Sequence, residues 1–424
     1  MGRIRSLLNS PIAMLASRLS VAALGLVSAP LIAQSLGPSG RGETAASLAA
    51  MYLIPIVLAF GMPFETRRRV LESSDLGAVR TARRLAVLAV IPAALIAWLV
   101  TSTLLVTLDD DAKIAAFVGI TSAPLMVSWM VDIGVVGAHR RFGAVALLQA
   151  TQPIVYVGGV FALFLFGHIS VAGVIWSNLA GSAVTAVVGW CINRTSGSTA
   201  TPWRPLFRGS LTFYGAQASD AAYQRLDQVI MLPLIGAHQA GLYSVAVTIG
   251  TLPVFLAHAV AAPVFADVSE ASEAGRMRAV GDALRSAFVV GIVAAVFLGI
   301  ASYWGVPFLF GAEFAEALPA VYIAIIGSIF LVVAVSGVEV LSAGNKGFRL
   351  TTAQVVGLIV CLSVLLTFGP SGGAIAAAIA NAGGIVVALI VMIFAIRPSV
   401  RHLVPRPSDV GLVVRRLTSR GGSA

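Results

Sequence analysis

Charge is what this 424-residue chain most lacks. Asp, Glu, Lys and Arg make up 11% of it, where soluble domains carry about a quarter. Cysteine is nearly absent as well. Cys191 and Cys361 lie at or within apolar runs and form no CxxC pair, so both read as packing residues. The five histidines, among them His139, His168 and His238, lie mostly at loop edges without metal-ligand spacing, and no metal site is expected. There is no GxxxxGK[ST] phosphate loop. The Gly-rich stretch Gly37-Pro38-Ser39-Gly40-Arg41-Gly42 falls between two apolar runs and reads as a tight turn, not a dinucleotide loop. No Ser-His-Asp or Cys-His arrangement is suggested. These absences point away from an enzyme, and no cofactor is expected.

What the chain has instead is apolar length. Hydrophobic residues make up 58% of it and the mean hydropathy is +0.94. Twelve apolar segments have spanning length, at 12–33, 44–64, 85–107, 114–136, 143–166, 170–192, 210–233, 240–264, 282–304, 317–341, 350–368 and 374–396. The fold class expected is an all-α polytopic membrane protein. The first segment is followed by many others, so it reads as a span and not a cleaved signal.

Basic residues fix the expected orientation. All 28 Lys and Arg, apart from Arg18, Arg41, Lys113 and Arg225, fall at the N-terminus, in or beside every second connection, or in the tail. The intervening connections carry Asp109, Asp110, Asp111, Glu313 and Glu316. By the positive-inside rule both termini are expected in the cytoplasm. The net charge of +10 is thus a matter of topology, and no nucleic-acid partner is expected.

The chain also repeats. Pro30-Leu31-Ile32 closes the first span and Pro233-Leu234-Ile235 the seventh; mid-helix prolines follow at Pro55 and Pro253, then Pro63-Phe64 and Pro263-Val264-Phe265. Two parallel six-helix bundles are expected, at 1–193 and 210–396, with a cytoplasmic linker at 194–209 and a basic tail at 397–424. Pro55, Pro92, Pro124, Pro153 and Pro253 lie inside spans, as packing kinks or as hinges.

The seventh span is unusual. Tyr214, Gln217, Asp220, Gln224, Arg225, Asp227 and Gln228 fall within roughly half the helix circumference at about 100° per residue. Each charge costs about 2.5–3.5 kcal/mol at a helix centre in lipid. The arc is therefore expected to face water, protein or substrate, as the wall of an intramembrane cavity.

Particular stretches resemble one family. Leu36-Gly37-Pro38-Ser39-Gly40-Arg41-Gly42-Glu43 is similar to the first outer turn of the polysaccharide-biosynthesis flippases, whose superfamily also holds multidrug/toxin extrusion transporters and the lipid II flippase. Arg225-Leu226-Asp227-Gln228-Val229-Ile230-Met231 with Ala240-Gly241-Leu242-Tyr243 resembles that family's start of the second half, and Phe308-Leu309-Phe310-Gly311-Ala312-Glu313-Phe314 its outer turn before the tenth span. The resemblance covers roughly residues 12–396. It implies two bundles around a central cavity opening alternately to each side. It also implies an undecaprenyl-diphosphate-linked oligosaccharide moved from the inner to the outer leaflet of a bacterial cytoplasmic membrane. Implied partners are that lipid-linked substrate, membrane lipids, and a polysaccharide polymerase and glycosyltransferases of the same pathway.

The residues leave alternatives open. Arg225 is either a diphosphate or acidic-sugar contact or the partner of Asp220, Asp227 or another acid. Arg18 either captures phosphate or snorkels to the interface. Asp220 and Asp227 are candidates for proton or sodium coupling, and Gln217, Gln224 and Gln228 with Asp220 for sugar contacts. Asp132 and Glu339 read as helix-end residues, solvated or paired with Arg140 or Arg349, or as a gate. An ion-coupled small-molecule exporter and a non-transporting membrane scaffold are the competing functions.

Overall fold

A computed structural model describes residues 11–194, 201–261, 264, 268, 273–344 and 346–397, of which 11–23, 259, 260, 273 and 274 are described as backbone alone. The described residues are helical, without a strand. In chain order the helices are α1 Pro11–Leu58, α2 Met62–Ser73, α3 Leu76–Leu88, α4 Val90–Thr103, α5 Asp110–Thr121, α6 Ala123–Ala138, α7 Phe142–Leu165, α8 Val171–Ile192, α9 Trp203–Gly250, α10 Pro253–Ala261, α11 Glu273–Phe310, α12 Leu318–Ala343 and α13 Gly347–Ile396. A 3-10 turn, Ala312–Ala317, precedes α12.

Seven helical stretches among the described residues are long and apolar enough to cross a bilayer, or nine if each of two bent pairs is one span. They are fewer than the twelve expected segments, and three of the helices run through a break. Gly37 (φ 66°, ψ −174°) interrupts α1, Gly236 (φ 80°, ψ 161°) α9, and Gly373 (φ 54°, ψ −137°) α13. Each break falls between two expected spans, in a conformation that glycine adopts without a Cβ penalty. Gly37 and Gly236 also follow the two repeated Pro-Leu-Ile triplets.

Capping explains several boundaries. Asp109 Oδ1 accepts from the Ala112 N–H at 2.8 Å to start α5, and Ser170 Oγ accepts from Gly173 at 3.0 Å to start α8. The acidic connection Asp109–Asp111 is thus a helix N-terminus, where carboxylates offset the macrodipole.

The chain forms two compact units, residues 1–241 and 242–424. In the first, α7 packs on α1 and α8, and α2 on α6. One core joins Ala59, Met62, Val70, Val79, Val127, Val131 and Leu206. In the second, α12 packs between α11 and α13 around Leu284, Val332, Leu341 and Met392. Large apolar side chains such as Leu95, Trp98, Phe166, Phe297 and Phe394 are exposed. Apolar surface on this scale suits lipid as the solvent.

Candidate functional site

The seventh expected span is the first part of α9, and the first unit holds it at two levels. At one level α9 meets the bend between α1 and α2. Gly61 has φ +78°, and a Cβ there would lie 2.2 Å from the Ser210 carbonyl oxygen. A Cβ on Gly209 would lie 2.3 Å from Glu65 Oε1. Around this contact Phe60 packs on Phe207 and Tyr214, with centroids 5.7 and 5.2 Å apart, and Phe64 on Phe213 at 5.9 Å. At the other level the segments after the two glycine breaks cross backbone to backbone. A Cβ on Gly42 would lie 2.2 Å from the Ala237 carbonyl oxygen, and one on Gly241 1.8 Å from that of Pro38. Glycine is required at both crossings by proximity.

Between these levels sits Arg225. It does not pair with the aspartates of its own helix: among the described residues no ion pair includes it. Its guanidinium lies 5.4 Å from the centroid of the Tyr52 ring, a cation–π contact. The Tyr52 hydroxyl accepts from Gln152 Nε2 at 3.1 Å and from Asn178 Nδ2 at 2.7 Å. Helices α1, α7, α8 and α9 therefore meet at one tyrosine. Gln152 and Asn178 are buried, and so is Arg41, at 9% exposure. Tyr156 lies within electrostatic reach of both Tyr52 and Arg41.

The other expected site residues are distributed along α9. Asp220 and Gln224 are exposed and joined by a 2.8 Å hydrogen bond from Gln224 Nε2 to Asp220 Oδ2. Gln217 is half-buried, and its Oε1 is buried without a hydrogen-bond partner. Asp227 is buried and accepts from the Gln228 backbone N–H at 2.8 Å; Gln228 is buried beside it. Asp220 and Asp227 each make a further interaction. The Arg18 side chain lies outside the described residues, as does the tail beyond Arg397. No group of three His, Cys, Asp or Glu among the described residues is placed to hold a metal ion.

Asp132 meets a partner other than the expected one. It is fully buried and bonds Arg83 Nη2 at 2.5 Å, not Arg140. Asn193 Nδ2 donates to the same Oδ1 at 3.1 Å, and Arg83 reaches the Asn193 carbonyl at 3.3 Å. Nearby, Thr201 Oγ1 donates to Asp75 at 2.8 Å and Thr81 Oγ1 to the Thr201 carbonyl at 2.6 Å. These bonds tie the two ends of the 194–201 connection to α3 and α6.

Sequence reasoning passed over Tyr52, Gln152, Asn178 and Arg41. The signal existed: the first three are polar side chains within apolar spans, and Arg41 is a cation between two glycines. Their convergence is a tertiary fact that no periodicity carries.

A family model described as "Polysaccharide biosynthesis protein" matches residues 7–269. A probable low-salt glycan biosynthesis flippase, Agl15 of Haloferax volcanii, is 24% identical over 400 residues, covering 89% of this chain and 81% of the relative. Among solved structures, the lipid II flippase MurJ in an inward closed conformation superposes with a TM-score of 0.76 at 14% identity, over 96% of this chain and 91% of its own. An inward-facing multidrug resistance MATE family transporter of the MOP superfamily gives 0.70 at 14% identity, over 92% and 98%.

Proposed function

The chain belongs to the polysaccharide biosynthesis protein family, and from that premise we propose that it flips an undecaprenyl-diphosphate-linked oligosaccharide from the inner to the outer leaflet of a bacterial cytoplasmic membrane. It does so by alternating access, with twelve spans as two six-span halves and both termini in the cytoplasm. The observation that carries this reading is Arg225: a guanidinium within an apolar span, seated on an aromatic face and, among the described residues, in no ion pair. A guanidinium in that state keeps its fork of donors for phosphate oxygens. A diphosphate with a sugar head is too polar to cross hydrocarbon unaided, while the lipid tail stays in the bilayer. Arg225 and Arg18 would hold the diphosphate. Gln217, Gln224, Gln228 and Asp220 would face sugar hydroxyls, and the orphan Oε1 of Gln217 supports that role.

A second reading, an exporter coupled to protons or sodium, draws on the buried carboxylate of Asp227. One experiment separates the two. In a deletion strain, lipid-linked glycans are extracted and identified by mass spectrometry. Wild type, Arg225→Ala and Arg225→Lys are reintroduced at matched membrane levels. Flipping predicts accumulation of one lipid-linked intermediate, cured by wild type and not by Arg225→Ala, with Arg225→Lys in between. No accumulation in the deletion strain sinks the flippase reading. Rescue by Arg225→Ala leaves flipping in place and removes Arg225 from the path.

A further inference from the structure

The second unit holds a cluster of cations that the proposed transport path does not use. Lys346 Nζ and Arg349 Nη1 converge on one acceptor, the Ala395 carbonyl oxygen, at 3.5 and 3.0 Å. Arg397 lies two residues after Ala395, in the left-handed conformation that ends α13. Arg276 lies alongside: a Cβ built on Gly344, at the end of α12, would be 3.2 Å from its Nη2. Four basic side chains thus gather where the start and end of α13, the end of α12 and the first turns of α11 meet.

Among the described residues no acid balances their charge: no ion pair includes any of the four. The C-terminal ends of α12 and α13 each supply about half a negative charge, which the N-terminal ends of α11 and α13 at the same place offset, so the helix ends leave the four cations without a net counter-charge. The strain is visible at Lys346: its ammonium is pushed below the usual lysine range by burial first, then by Arg349, Arg276 and Arg397. An arrangement of this kind awaits an anion.

Phe348 indicates which source of anion. It lies in sequence between Lys346 and Arg349 and is 85% exposed. Free phosphate in water gives a bare phenylalanine nothing to bury against. A lipid gives the ring acyl chain and the cations a phosphate at the same place. We propose that Arg276, Lys346, Arg349 and Arg397 form a site for the phosphate headgroup of an anionic membrane lipid, with Phe348 set among its acyl chains. The site lies wholly within the second unit, shares no residue with the proposed transport path, and stands whether or not the flippase reading does.

The test uses the full chain purified in neutral detergent. Its thermal unfolding midpoint is measured with added phosphatidylglycerol, phosphatidylcholine or inorganic phosphate, and lipid retention is measured by native mass spectrometry. The variants are Lys346→Gln/Arg349→Gln and, as a control of equal charge, Arg140→Gln/Arg141→Gln on an exposed connection of the first unit. Phosphatidylglycerol is expected to raise the wild-type midpoint while the other two additives do not. The Lys346→Gln/Arg349→Gln protein should lose most of that rise and bind phosphatidylglycerol about 25-fold more weakly, about fivefold per cation near a membrane surface. The control should keep both. Should the first double variant fail to purify as a monodisperse species, Arg276→Gln carries the same test with an expected loss of about fivefold. An equal rise with phosphatidylcholine, an equal rise with inorganic phosphate, or equal losses in both double variants would each overturn the site.

Discussion

The two units differ in how particular basic residues are met. In the first, buried carboxylates meet Arg68, Arg69 and Arg83. Glu65, with a fully buried side chain, lies 2.8 Å from Arg68 and 2.7 Å from Arg69, and Arg68 also reaches Glu72 at 3.2 Å. Asp132, equally buried, holds Arg83. In the second unit Arg285 has Asp282, but Lys346 and Arg349 share a backbone carbonyl, with Arg276 and Arg397 as like charges near Lys346. The positive-inside rule counts both sets alike. The contrast separates basic residues that a buried acid fixes in the fold from basic residues that pair with no acid among the described residues. On the proposal above, the latter hold lipid phosphate.

The largest expected effect breaks the paired end. Asp132→Ala strands Arg83, whose side chain is 18% exposed, and removes the acceptor for Asn193. Losing one partner of a buried pair costs about 3–5 kcal/mol. The unfolding midpoint in detergent should fall sharply. Adding Arg83→Met should restore much of it, because an apolar pair of similar volume is often neutral. A silent Asp132→Ala would show that the pair is incidental and that the two units do not differ as described.

A smaller loss is expected at Glu65. Glu65→Gln keeps the shape beneath Gly209 but gives up charge-assisted bonds from two arginines, each worth about 1.5–3 kcal/mol when a partner is charged. Part of Arg68 is recovered through Glu72, so the loss should stay below that of Asp132→Ala. Thermal unfolding of the two variants side by side ranks them, and the reverse order would place the anchor of the first unit at α2, not α6.

The all-helical membrane architecture is legible in the apolar runs, because a bilayer admits few ways to satisfy a backbone. The polar arc of the seventh span was visible for the same reason: charge in such a helix stands out. Two things were not legible. The aspartate at 132 selects Arg83, 49 residues away, over Arg140, eight away, because packing of α3 on α6 decides proximity and sequence distance does not. Tyr52 as the meeting point of four helices was also hidden, since a tyrosine in an apolar run looks like core. Gly42 reads as part of a tight turn and Gly241 as part of the stretch that opens the second half. Their backbone crossing, which seats α9 over Tyr52, depends on two breaks roughly 200 residues apart in sequence.

The smallest effect sharpens the unpaired end, and its sign is opposite. Lys346 has a folded-state pKa below the ordinary lysine value of 10.5. Between those two values the unfolded chain binds more protons than the folded one, so stability rises with pH across that window. Below it the charged ammonium is a net cost to the fold. Lys346→Gln should therefore remove the slope. In lipid-free detergent at neutral pH it should leave stability unchanged or raise it, within about 0.5 kcal/mol. With phosphatidylglycerol present the sign should reverse, because the wild-type lysine then has its counter-charge and the glutamine gains nothing. Unfolding curves from pH 7 to 11, with and without that lipid, give all of these. Were Lys346→Gln to destabilise the lipid-free protein as Glu65→Gln does, Lys346 would be a structural charge like those of the first unit, and the difference between the two ends would close.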